Sequence, residues 1–256
     1  MRIMGISGSL RAASYNTGLL RAARDLAPEG VTVEIARIND VPLFNEDLEL
    51  QGWPDSVVSL RRQAYAADAI LFASPEYNYN VSGVLKNAFD WMSRPEGAGG
   101  STAPSGLNPA PRNPFQDKPC GMLGASVGMS GTIRSQLLLR HSLQLNAALA
   151  MPQPEVFVAF ARDKFDGMGN LTDEATRGFV ARFMAAFAAW TARVGPAAEG
   201  RERPPPPRES GGPRHSEGGG GSDGDALSLD ERQEIGVEET FPGSDPVSLS
   251  DPTKAL

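Results

Sequence analysis

The chain of 256 residues has one cysteine, Cys120, and two histidines, His141 and His215, so it has no intramolecular disulfide and no obvious metal-ligand cluster. No metal is expected. No apolar run approaches the about 20 residues that a membrane-spanning helix needs, and Met1-Arg2 leads straight into a strand pattern rather than a secretion-type segment. A soluble, cytoplasmic protein with no membrane partner is the expectation. Also missing is a Gly-Lys-Ser/Thr sequence after the first loop, and Gly5-x-x-Gly8 falls short of the three-glycine dinucleotide fingerprint, which disfavours ATP, GTP and a classical NAD cradle. A basic excess is absent too. Residues 1–195 carry 18 Lys/Arg against 18 Asp/Glu, leaving no electrostatic footprint for nucleic acid, while residues 196–256 carry 6 against 13 and hold the whole net charge of −7.

What is present is concentrated first in residues 1–17. The apolar Ile3, Met4 and Ile6 form a buried-strand run, Gly8 lets backbone N–H groups turn inward, and a helical pattern begins near Asn16. This is strand, anion-binding loop, helix. Ser9, Ser14, Asn16 and Thr17 add side-chain donors, Arg11 adds a positive fork, and the helix adds its positive dipole end, a set suited to phosphate.

Val31–Ile35 reads as the second strand and Ala69–Ala73 as a third that is apolar on both faces, as a central parallel strand should be. Met122–Ala125 and Glu155–Phe160 supply the fourth and fifth. Helices are expected after the first loop, over about 55–67, after Ser82, around Ile133–Leu145 and from Thr172. The last of these buries Phe179, Val180, Phe183, Phe187, Trp190 and Val194. Five strand-helix units predict an α/β fold: a doubly wound five-stranded parallel sheet of order 2-1-3-4-5. Residues 95–117, rich in glycine and proline, read as a surface insertion.

In that order a crevice opens at the carboxyl ends of strands one and three. The phosphate loop would meet there a second loop, Pro75-Glu76-Tyr77-Asn78, with a third around Ser126 and Gly128 closing the other side. Leu10 and Tyr77 would give apolar walls, and backbone donors near Glu76–Asn78 and Ser126–Gly128 would face the rim of a flat polar ring. Phosphate, short linker and flat ring describe FMN.

The motifs Gly8-Ser9-Leu10-Arg11 with Ser14 and Asn16, Pro75-Glu76-Tyr77-Asn78, Leu85-Lys86-Asn87-Ala88-Phe89-Asp90-Trp91 and the Gly124–Gly131 loop resemble the NADPH-dependent FMN reductases of flavodoxin-like fold. That family includes quinone, azo-dye and chromate reductases, and the resemblance covers residues 1–194. It implies that Ser9, Arg11, Ser14, Asn16 and Thr17 hold the FMN phosphate, with Leu10 as an apolar wall of the cofactor site, and that Pro75, Glu76, Tyr77, Asn78, Ser126 and Gly128 border the flavin and its ribityl chain. It implies an enzyme in which hydride passes from NADPH or NADH through FMN to a small acceptor such as a quinone, azo compound, free flavin or chromate. The flavin carries the chemistry, so no catalytic side chain is expected. A homodimer or homotetramer is implied by the same likeness.

Two other readings compete. One is a flavodoxin-type electron carrier, disfavoured by the neutral body and by Arg11 in the phosphate loop; the other is a flavin-binding interaction protein acting through its tail. The domain boundary falls at residues 195/196. Beyond it the proline, glycine and charge content predicts disorder, with a possible docking peptide at 227–250 for a protein partner, where Leu227, Leu229, Ile235, Val237, Phe241, Val247 and Leu249 recur among acidic residues.

Overall fold

Ala69-Ile70-Leu71-Phe72-Ala73 is buried along its whole length, which requires a layer of helices on each side of it. The computed structural model describes residues 1–95 and 113–195; most of the Gly/Pro-rich insertion, and the tail with its proposed docking peptide, lie outside the described residues. The chain begins with β1 (Arg2–Ser7), α1 (Tyr15–Asp25), β2 (Thr32–Ala36), α2 (Glu46–Leu50), α3 (Asp55–Ala66) and β3 (Ala69–Ala73). It continues through the short strands β4 (Glu76–Tyr77) and β5 (Asn80–Val81), then α4 (Gly83–Ser93), β6 (Pro119–Ala125) and α5 (Ile133–Leu145). Strands β7 (Leu149–Ala150) and β8 (Val156–Val158) and the long α6 (Glu174–Val194) complete it.

The sheet runs β2-β1-β3-β6 in parallel, and its fifth position is shared by β7 and β8. This is the flavodoxin-like order expected from sequence. The difference is that the fifth strand is split: β7 pairs with the start of β6 (Pro119 with Leu149) and β8 with its end (Leu123 with Val156). Pro152 and Pro154 lie between them and have no N–H to offer the ladder.

Side chains alternate along the strands into two cores. Ile3, Leu71 and Leu123 pack with Leu19 and Leu20 of α1 and Val180, Phe183 and Phe187 of α6, while Met4, Ile6, Ile70, Phe72 and Met122 pack with α3, α4 and α5 on the opposite face. Helix α6 departs from expectation at Phe179, which is 58% exposed. The buried positions 176, 180, 183, 184, 187 and 191 follow the helical repeat, and Phe179 falls outside that stripe.

Two segments outside the expected strands and helices do more than connect them. Phe115, inside the expected insertion, is fully buried and stacks on Phe89 with ring centroids 4.3 Å apart. The segment 39–54 contains α2 and is tied to α4: Asn87 accepts from Phe44 N and donates to Pro42 O, which also receives Trp91 Nε1 at 2.9 Å. Arg94 pairs with the buried Glu49 at 2.9 Å. The Asn87 and Trp91 positions of the resemblance are thus structural anchors.

Candidate functional site

Because β1, β3 and β6 are parallel neighbours, the loops that follow them emerge at one edge of the sheet. The first two touch. Gly8 N donates to Ala73 O at 2.8 Å and Ser82 Oγ donates to Gly8 O at 2.6 Å. A Cβ at Gly8 would stand 2.7 Å from Pro75 Cδ and 2.8 Å from Ser82 Oγ, so only glycine lets the two backbones approach this closely. The third loop joins through Ser74, whose N–H donates to Leu123 O and whose hydroxyl meets Ser135 Oγ at 2.6 Å. Arg11 and Asn78 therefore lie on the same edge of the molecule.

In the first loop the N–H groups of Leu10, Arg11, Ala12 and Ala13 find no acceptor among the described residues. Leu10 and Arg11 are exposed, and the Arg11 guanidinium lies 4.7 Å from the centre of the Tyr15 ring. No acidic residue occupies the first turn of α1. Open donors, a positive helix end and an exposed guanidinium held over the Tyr15 ring fit a dianionic phosphate.

The other expected phosphate residues have structural duties. Ser14 is buried and caps α1, its Oγ accepting Thr17 N at 3.3 Å. Thr17 Oγ1 lies 2.8 Å from Ser7 Oγ, which also accepts Ser9 N at 3.3 Å. Asn16 is buried, with both ends of its carboxamide hydrogen-bonded to the backbone of Ala125. Ser7 and Ser82 support the loop and were missed from sequence; the one available signal for Ser7 was a hydroxyl ending an otherwise apolar strand.

The second loop is a hairpin in which β4 and β5 flank Asn78 and Tyr79, with φ of 51° and 63°. Two successive left-handed residues make a primed turn, uncommon for tyrosine and costly enough that neighbours must hold it. Glu76 holds it. Its carboxylate accepts the N–H groups of Arg134 and Ser135 at the start of α5, and Arg134 stacks 3.9 Å from the centre of the Tyr79 ring. Tyr77 stands half-exposed beside it.

In the third loop Ser126 Oγ accepts Gly128 N at 3.2 Å, Ser126 N donates to Val158 O, and Gly128 O accepts Phe160 N. Of the backbone donors expected to face the ring here, the N–H groups of Ser126 and Gly128 are thus engaged within the protein. Among the described residues no group of three or more His, Cys, Asp or Glu side chains is placed to hold a metal ion. Cys120 is fully buried, and that burial pushes its thiol far up. A shallow depression lined by Arg2, Glu34, Arg62 and Ala67 lies beside the amino end of β1, away from the three loops.

A doubly wound parallel sheet of this strand order, with a loop of open N–H donors after its first strand and two further loops beside it, defines a protein of flavodoxin-like fold. Residues 1–163 match the NADPH-dependent FMN reductases, and the chain belongs to that family. It is 42% identical over 194 residues to an NAD(P)H-dependent FMN reductase of Pseudomonas aeruginosa, covering 76% of this chain and 97% of the relative. An NADPH:quinone oxidoreductase of Arabidopsis thaliana is 40% identical over 200 residues, covering 76% and 93%. Among solved structures, the flavoenzyme NAD(P)H:(acceptor) oxidoreductase FerB of Paracoccus denitrificans superposes with a TM-score of 0.65 at 30% identity, covering 76% of this chain and 98% of that one. The protein is an FMN-dependent oxidoreductase that uses NAD(P)H.

Proposed function

We propose that FMN sits with its phosphate in the loop Ser9–Thr17 and its ring bordered by Pro75, Glu76, Tyr77, Asn78, Ser126 and Gly128, and that the enzyme reduces small acceptors of the quinone class. The observation that carries this reading is the convergence of three loops at one sheet edge, the first with unengaged donors. FMN supplies the redox chemistry, accepting hydride from a nicotinamide and passing it on. The chain's own residues bind and orient. The N–H groups of Leu10–Ala13 and the Arg11 side chain grip the phosphate; Ser14, Asn16 and Thr17 shape that grip from beneath. Glu76 fixes the hairpin so that its backbone borders the ring, and Leu10 and Tyr77 wall the crevice.

The quinone class is supported by the names of the relatives, which include a quinone reductase of Pseudomonas putida 35% identical over 185 residues. Azo compounds, free flavin and chromate remain candidate acceptors for the same crevice. The FMN-loaded protein should consume NADPH or NADH steadily when benzoquinone is added. Bound flavin without such turnover would leave an electron carrier; no bound flavin at all would overturn the site.

The enzyme is proposed to work in the cytoplasm as a homodimer or homotetramer. Self-association is supported by the outer face of α5, where Ile133, Leu137, Leu138 and Leu145 are exposed although the inner face is also packed. Light scattering should report more than one chain per particle, and Leu137→Glu should reduce that mass. Residues 196–256 are proposed as a separate acidic tail whose stretch 227–250 docks a protein partner, a reading tested by comparing the partners captured by the full chain and by one ending at Val194.

A further inference from the structure

Asn16 commits both ends of its carboxamide to one residue. Its Nδ2 donates to Ala125 O at 3.0 Å and its Oδ1 accepts Ala125 N at 3.0 Å, with the side chain 4% exposed. The pattern is that of a strand bonding its neighbour, made here by an amide side chain across 109 residues of sequence. Asn16 is the second residue of α1, just past the open donors of Leu10–Ala13, and Ala125 is the last residue of β6, immediately before Ser126.

Among the described residues no other hydrogen bond joins segment 8–17 to segment 124–132. The far side of this joint is tightly packed: a Cβ at Gly124 would stand 2.1 Å from Thr132 Oγ1 and 2.5 Å from Ser74 O. A shift at the start of α1 therefore has one direct hydrogen-bonded route to the third loop, the path through Ala73 and Ser74 being indirect, and little slack to absorb it. The remaining sides of the crevice are joined separately, by Ser82 to Gly8 and by Glu76 to α5.

We propose that Asn16 is a positioning residue that couples the two halves of the cofactor site. Phosphate on the N–H groups of Leu10–Ala13 orders the first turn of α1, and Asn16 transmits that order through Ala125 to the turn Ser126–Gly128 that borders the ring. The inference rests on the placement of FMN given above. An amide is the group this joint requires: aspartate would set a negative oxygen against Ala125 O, and serine is too short to reach.

The test uses the full-length protein stripped of flavin and titrated with riboflavin, which lacks the phosphate, at rising inorganic phosphate and constant ionic strength. In the wild type, saturating phosphate should raise riboflavin affinity about fivefold, a coupling of ordinary size between two sites. In Asn16→Asp and Asn16→Ser the riboflavin affinity should be the same at every phosphate concentration. A phosphate dependence equal in all three proteins, or none in the wild type, overturns the proposal. Amide exchange at Ala125 in the wild type gives a readout that needs no variant: inorganic phosphate alone should slow it, and unchanged exchange counts against the coupling. Failure of the stripped protein to rebind FMN itself would strike instead at the site placement.

Discussion

The carboxylate of Glu76 closes the first turn of α5 from outside that helix, Oε2 accepting Arg134 N at 2.9 Å and Ser135 N at 3.2 Å. Thr132, at the head of α5, makes no side-chain cap bond of its own. Removing the carboxylate takes the protein acceptor from two N–H groups and the ion pair from the Arg134 side chain. Glu76→Ala should therefore lower stability by about 1–2 kcal/mol, seen as a lower denaturant midpoint with an unchanged slope. Glu76→Gln, which keeps an acceptor oxygen, should lose less.

Gly8→Ala tests the contact between the first two loops. The added methyl would stand 2.7 Å from Pro75 Cδ, a ring with little freedom to move, so the loops must part. A stability loss of about 1–3 kcal/mol is expected, together with weaker FMN binding, read by thermal melting and by flavin fluorescence titration.

Substitution of Arg11 tests phosphate recognition apart from ring recognition. Arg11→Ala should weaken FMN binding about tenfold, the scale of one hydrogen bond to a charged group, and leave riboflavin affinity unchanged. Equal losses for both ligands would show that Arg11 does not act on the phosphate.

Asp173 heads α6, and hydrogen bonds from the side chain and backbone of Thr176 hold its carboxyl below the ordinary value. A carboxylate depressed in the folded state stabilises it fully above its unfolded value, about pH 4, and that contribution is lost as pH falls through the folded value. Asp173→Asn cannot titrate. Its melting temperature should fall less steeply than the wild type's on going from about pH 6 to pH 3.

The sheet order was legible because apolar runs such as Ile3–Ile6 and Ala69–Ala73 mark parallel central strands, and the Gly/Ser loop after the first run marks the turn into α1. The particular duties of the site residues were not. Asn16 looked like a phosphate donor, yet its partner is a backbone 109 residues away that no local pattern announces. Glu76 looked like part of a ligand loop, and its capping role exists only once α5 is folded beside it. The hairpin escaped notice because Asn78-Tyr79 lacks the glycine that usually marks a primed turn. Phe115 sat among prolines and glycines whose composition concealed a buried ring.

The divided fifth strand also bears on solubility. With β7 and β8 each only two or three residues long and Pro152 and Pro154 between them, that border of the sheet presents no continuous row of free amides. An incoming extended peptide would find no uninterrupted template there, which guards that border against edge-to-edge pairing.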